Sequence, residues 1–298
     1  GYVVDPDPTD PVVQAGYKDG AIRAFARHSR LGAPNLQSAE YVREQFMLTV
    51  AHLRKIGFKR ISLKTGAYGM EALALAIRVA VDAQLDLLTI DGAGGGTGMS
   101  PWNMMEHWGV PSLQLHAKAY EYCKLLADKG KKIPAISFGG GLAREDHVFK
   151  ALSIGAPFTK LVCMGRAPMI PAFLGSNIQG VLQPERRAEL NGNWDSLPSS
   201  VTAYGDKPEE IFAAWESVKA KVGADEMKNI PWGAIGVYAS ADKIACGLQQ
   251  FMAGARRFTV NHMTREDLMA ANEETARVAN LPLMTEALAD KAKAILLG

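Results

Sequence analysis

The stretch LDLLTIDGAGGGTGMSPW, residues 85–102, decides the fold. Its first part, Leu85–Ile90, is a short apolar run of strand type, and Asp91 ends it. Five glycines then fall within seven residues, from Gly92 to Gly98. Glycine admits positive φ and lets backbone N–H groups come close to a ligand. The stretch therefore reads as a strand end opening into a backbone-lined site for an anion or carboxylate. It is not the dinucleotide fingerprint. Counted from Gly92, G-x-G-x-x-G puts Thr97 at the third glycine; counted from Gly94 it puts Met99 there. Nor is it a P-loop, because no Gly-Lys-Ser/Thr follows. The alternative is a plain surface loop. The buried-type strand before it and the Ser100-Pro101-Trp102 stop after it argue for a ligand.

Working outward, the same pattern recurs. KRISLK (59–64), IPAISF (133–138) and FTKLVCM (158–164) are further short apolar strands. Helical runs separate them: MEALALAIRVAVDAQ (70–84), SLQLHAKAYEYCKLLADKG (112–130) and REDHVFKALSIG (144–155), with Gly165 opening the next. Alternating strand and helix means a parallel sheet with right-handed crossovers. An earlier helix, AEYVREQFMLTVAHLRKI, starts after Ser38 and closes on Gly57. The first 58 residues supply only a Pro- and Asp-rich lead-in, an amphipathic patch (AIRAFARHSRL) and this helix. Beyond residue 177 the pattern becomes helical, with runs at 208–223, 234–254, 265–280 and near 284–296. Thr264 is a good N-cap for the third of these, with Asp267 in its first turn.

In parallel α/β folds, ligands bind at the carboxyl ends of the strands. Lys64, Thr65 and Gly66 stand at the first end, and Asp91 with the glycine loop at the second. Gly139–Gly141 stand at the third, and Gly165 and Arg166 at the fourth. Adjacent glycine-rich ends leading into helix N-termini make a phosphate site. In (β/α)8 barrels that site lies after strands seven and eight. The expected fold is thus α/β, the carboxyl half (strands 5–8) of a TIM barrel. The expected divisions are a lead-in at 1–58, the half-barrel at 59–176 and a helical C-terminal region at 177–298. A half-sheet has unpaired edges. The chain is therefore expected to be the carboxyl part of a longer polypeptide, or a half that pairs with another chain.

Composition excludes several classes. With 298 residues the chain can bury a large core. A formal net charge of +2 gives no reason to expect nucleic acid or an anionic membrane as partner. No apolar run reaches spanning length, because Arg78, Asp82 and Asp86 interrupt the longest. Cys123, Cys163 and Cys246 are scattered, so neither a disulfide framework nor a cysteine metal site is supported, and a cytoplasmic location fits. The six histidines show no H-x-x-x-H pair and read as packing or surface residues. Cys163 reads as core, Met99, Met104 and Met105 as apolar lining around a ligand, and the Arg186–Arg187 and Arg256–Arg257 doublets as solvated faces.

In order along the chain, ISLKTG, IDGAGGGTGMSP, SFGGGLARED…ALSIGA and VCMGRAPM resemble successive motifs of the FMN-binding domain of glutamate synthase. The span runs from about residue 59 to 176. The tail DEMKNIPWGAIG…GLQQFMAGARRF resembles stand-alone glutamate-synthase-related bacterial proteins. D-G-x-x-G-G-T-G-x-S-P is the specific element; the GGG and MGRA elements are common to many flavin barrels. The resemblance implies a bound FMN with its phosphate on Gly140, Gly141, Gly165 and Arg166. It places Lys64 at the flavin pyrimidine edge, stabilising negative charge on the reduced ring. Gly95, Gly96 and Thr97 would lie against the cofactor, with Ser100 facing flavin or substrate. Lys64 and Ser100 are the implied catalytic residues. Where the family carries its first iron–sulfur cysteine in A-L-G-C, this chain has Ala172-Phe173-Leu174-Gly175-Ser176, and no later cysteine follows the pattern.

Each residue also has a structural reading. Lys64 could be a solvated lysine, Arg166 could point outward, and Ser100 before Pro101 could serve the turn. Asp91 is favoured as a hydrogen-bond acceptor for the glycine loop's own N–H groups rather than as a base. The leading function is an FMN-dependent oxidoreductase acting on a small amino or keto acid, or an imine, without its own iron–sulfur cluster. Its electrons would come from a donor protein or other soluble donor, and it would be oligomeric. The alternative is a non-redox module that binds a phosphorylated metabolite. An inosinate-dehydrogenase-like reaction is discounted, because the loop after Ile90 has no cysteine.

Overall fold

The computed structural model describes residues 39–95, 107–190 and 199–298, together with residue 11. The chain divides into two units. The first comprises residues 1–141, 150–163 and 259–298; the second comprises 142–149 and 164–258.

The first unit holds a four-stranded parallel sheet: β1 (Ser62–Thr65), β2 (Leu87–Asp91), β3 (Ala135–Gly139) and β4 (Thr159–Cys163). The strands lie side by side in chain order. A doubly wound sheet reverses direction at a switch point, whereas this one winds one way, as barrel sheets do. The α/β class and parallel sheet expected from sequence are therefore present, in an arrangement compatible with part of a (β/α)8 barrel. Helices α1 (Ala39–Lys55), α2 (Met70–Asp82) and α3 (Ser112–Asp128) precede and cross between the strands. No helix among the described residues is long and apolar enough to cross a membrane.

Register assigns the two faces of the sheet. Leu88, Ile90, Ile136 and Phe138 share one face, and each is at most 1% exposed. Leu75, Ala76 and Val79 of α2 pack with Leu63 on one side and Val42 and Phe46 of α1 on the other. The opposite face carries Ser62, Lys64, Leu87, Thr89, Asp91, Ala135, Ser137, Gly139, Leu161 and Cys163. That face mixes polar and apolar side chains, which two buried faces of Val, Ile and Leu would not do. A register shift beside Ile136 and Ser137 displaces Lys160 from the alternation and returns Leu161 to Ser137. Cys163 is half-buried instead of core, because β4 is an edge strand among the described residues.

The segment 259–298 is also tied into this unit. Arg265 donates to Ile154 O at 2.6 Å, Ala279 O at 2.6 Å and Asn280 O at 3.1 Å, and covers the Tyr120 ring. The helix expected at 265–280 is two pieces. Thr264 and Asp267 do form a reciprocal cap, but over a single 3-10 turn, Arg265–Asp267. Ala270 then bridges to Leu283, and Asn272 caps a second helix, Glu273–Ala279, by accepting from Thr275 N.

The second unit is helical. After α4 (Glu145–Ile154), which begins in it, come α5 (Met169–Leu182), short turns, α8 (Trp215–Val222) and α10 (Trp232–Gly254); α6 (Ser199–Thr202), α7 (Pro208–Ile211) and α9 (Ala224–Met227) are single turns. The predicted helix at 208–223 breaks because Phe212 turns extended and buries its ring against Trp215 and Trp232. The predicted helix start at Gly165 lies at Met169 instead; Gly165–Pro168 form a turn, with Met169 N donating to Arg166 O. Arg187 is not merely solvated, since its Nε donates to Gly180 O at 2.6 Å.

Helices α5 and α10 meet through small residues. A Cβ at Gly175 would lie 2.4 Å from Trp232 O, one at Gly233 2.7 Å from Ala172 O, and one at Gly236 2.3 Å from Pro171 O. Backbone meets backbone here, which only glycine permits. Ser176, the residue at the family's cysteine position, is at this crossing, with its Oγ against Gly233.

Candidate functional site

The carboxyl end of the sheet in the first unit is built from three loops. Val110 N donates to Ala67 O, Ala93 N to Val110 O and Gly92 N to Gly139 O. These bonds lock the loops after β1, β2 and β3 to one another. Ser112, the first residue of α3, adds a bond from Oγ to Gly140 O at 2.6 Å. Two glycines make this closeness possible. A Cβ on Gly92 would lie 2.2 Å from Ser112 Oγ, and one on Gly140 2.7 Å from Gly92 N. Gly140 thus has a packing reason to be glycine, beside any ligand role, and its φ of +109° requires one as well. Gly141 differs: its φ is +73°, and among the described residues a Cβ there would meet nothing within 4 Å.

Asp91 is the buried charge of this end. Its side chain is 8% exposed, and its Oδ2 lies 2.8 Å from Lys64 Nζ, whose side chain is 56% exposed. Both residues sit on the same face of the sheet, on neighbouring strands, so register brings them together. The ion pair is a partner of Asp91 that the sequence reading did not name, and the N–H groups of residues 96–98 lie outside the described residues. Two more glycines form its niche. A Cβ on Gly139 would lie 2.1 Å from Asp91 Oδ1, and one on Gly95 would lie 3.0 Å from Asp91 Cγ. Lys64 is half exposed. On the same face Ser137 Oγ and Cys163 Sγ are 3.2 Å apart.

His116 of α3 supports the floor. It is 3% exposed and stacks flat on Phe138, with ring centroids 4.0 Å apart. Its Nε2 lies 3.0 Å from Gly139 O, which assigns the proton to Nε2 and makes it the donor. Burial pushes its pKa down to about 4, against the pull of the Gly139 and Ile90 carbonyls. The imidazole is therefore neutral near pH 7, a fixed strut between helix and strand end and not an acid.

The other expected site residues are distributed as follows. Gly95 is described and packs on Asp91, closing a turn with its N–H to Gly92 O. Gly96, Thr97 and Ser100 lie outside the described residues, as do Met99, Met104 and Met105. Gly165 and Arg166 belong to the second unit, in the exposed turn before α5. Three residues of this end carried no site reading in the sequence: Ser112, Gly139 as the wall of the Asp91 niche, and His116 as a buried strut. Strand register, which the sequence does not show, was needed to pair Asp91 with Lys64.

The donor set of this end suits an anionic, phosphate-bearing group. It offers a half-exposed ammonium on one strand end and an open glycine backbone two strands away, both at the carboxyl edge. No curated protein matches the chain. A family model, the conserved region in glutamate synthase, matches residues 19–174. The match covers more than half of the chain and all four strands, so the protein belongs to the family defined by the conserved region of glutamate synthase.

Proposed function

We propose that this chain is an FMN-dependent oxidoreductase of the glutamate-synthase type, acting on a small amino or keto acid or an imine. The observation that carries the reading is the carboxyl edge of the one-way parallel sheet, where Lys64 and the open Gly141 backbone stand within a family-matched segment. FMN, when bound, supplies the redox chemistry. Lys64 contributes a positive charge toward the edge of the flavin that becomes electron-rich. Gly140 and Gly141 border the place for a phosphate, and the interlocked loops keep that backbone in place before binding. The roles of Gly96, Thr97, Ser100, Gly165 and Arg166 rest on the resemblance. Electrons reach the site from a soluble donor or a partner protein, and the protein works in the cytoplasm as part of an oligomer or of a completed barrel.

The test is spectroscopic. Purified protein is incubated with FMN, desalted, and its absorption and fluorescence are recorded before and after dithionite. Retained flavin bands that bleach on reduction support the reading. A colourless protein that binds a sugar phosphate but no flavin would instead make it a phosphometabolite-binding module.

A further inference from the structure

We infer that Asp91 is a positioning residue: it holds the Lys64 ammonium at the carboxyl edge of the sheet and sets how much of its charge a ligand there experiences. A carboxylate that is 8% exposed must be paired, or burial would neutralise it. Lys64 Nζ at 2.8 Å is that partner. The surroundings are shaped for the carboxylate. Gly139 and Gly95 flank it closely enough that a methyl group on either would collide with it. Removing side chains from two loop and strand positions to admit one buried carboxylate is an arrangement that a solvated lysine does not need.

The lysine is the mobile half of the pair. Its side chain is 56% exposed and has four rotatable bonds, so alone it would sample many positions. Asp91 is fixed by its strand and by its niche. The pair therefore confines the ammonium while part of it stays open to solvent. It also weakens the field: a ligand near Lys64 meets a cation already partly compensated. Under the function proposed above, on which this inference rests, Asp91 holds the flavin's reduction potential below the value that Lys64 alone would give.

Two readouts test it, and the first requires no flavin. Apoprotein is treated with a limiting amount of acetic anhydride, and Lys64 acetylation is followed by peptide mass spectrometry against exposed Lys228 as internal standard. Asp91→Asn should raise the Lys64 rate about fivefold, the loss expected for a half-exposed ion pair. An unchanged rate in a folded variant overturns the inference. If Asp91→Asn does not fold, Asp91→Ser repeats the test with a smaller neutral side chain. In the second readout, FMN-loaded Asp91→Asn should show a midpoint potential about 20 mV higher, which is the same fivefold converted for a two-electron couple. Lys64→Met should lower the potential, and Asp91→Asn should add no rise on the Lys64→Met background. A full rise on that background means that Asp91 acts without Lys64 and overturns the inference. Failure of the wild type to bind FMN defeats the proposed function, while the acetylation result still decides the ion pair.

Discussion

Replacing glycine by alanine inside a helix ordinarily stabilises it, by about 1 kcal/mol. Gly236 of α10 should do the reverse. A Cβ there would lie 2.3 Å from Pro171 O and 3.0 Å from Pro171 C, both backbone atoms that cannot swing aside. The helices would have to part by on the order of 1 Å, and an interior packed at crystal density does not absorb that freely. Overpacking of this kind costs about 1–3 kcal/mol, with rigid backbone at the upper end. Against the propensity gain, Gly236→Ala should lose about 2 kcal/mol net, on the order of 10 °C in Tm for a unit of this size. Gly254, in the last turn of the same helix, is the internal control. A Cβ there meets nothing within 4 Å, so Gly254→Ala should be neutral or stabilising by up to about 1 kcal/mol. Urea unfolding followed through Trp fluorescence suits the test, because buried Trp232 stacks edge-on with Trp215 at 5.5 Å in the same unit. Gly236→Ala as stable as the wild type would refute the close helix contact and the argument built on it.

Three further outcomes follow from buried groups. His116 has a pKa of about 4 when folded against 6.5 in a model peptide, so below pH 6.5 the unfolded chain takes up a proton that the folded chain refuses. Stability should therefore fall from pH 6.5 to about 4, by roughly 3 kcal/mol from this residue, and level off below. His116→Gln should lose that part of the slope in pH-dependent urea titrations; an unchanged slope would contradict the buried neutral imidazole. Burial pushes the Cys123 thiol up to about 12, whereas Cys246 is exposed, so a thiol reagent should label Cys246 in the native protein and Cys123 only on unfolding. Arg265→Ala should remove the bond that ties the segment 259–298 to Ile154 O and the two bonds to Ala279 O and Asn280 O within it, at a cost of about 2–3 kcal/mol, seen as faster limited proteolysis there. Arg265→Lys should not rescue it, since one ammonium cannot bond in the directions of a planar fork.

The sheet was legible because each strand is a short apolar run that a helix-length segment separates from the next, and period and spacing need no tertiary information. Helix ends were less so. Asn272 is a strong N-cap lying in plain sight within REDLMAANEETARVAN, yet the apolar spacing on both sides of it reads as one helix. The break at Phe212 had no local signal at all, because the aromatic cluster with Trp215 and Trp232 draws that residue out of the helix.

The same division runs through the candidate site. Glycine-rich strand ends announced where it lies, but the glycines do different jobs. Gly141 has no close neighbour among the described residues, Gly92 and Gly140 admit a neighbouring backbone, and Gly95 and Gly139 admit a carboxylate. A sequence shows that a side chain is missing; only the fold shows what occupies its place. Where the occupant is Asp91, the loop that reads as a ligand cradle is also the wall that holds a charged pair in register. Gly95, in the glycine run after β2, is therefore constrained by Asp91 before any ligand reaches this edge. That is why a half-exposed ion pair, and not a backbone amide, is the feature of this edge most open to test by mutation.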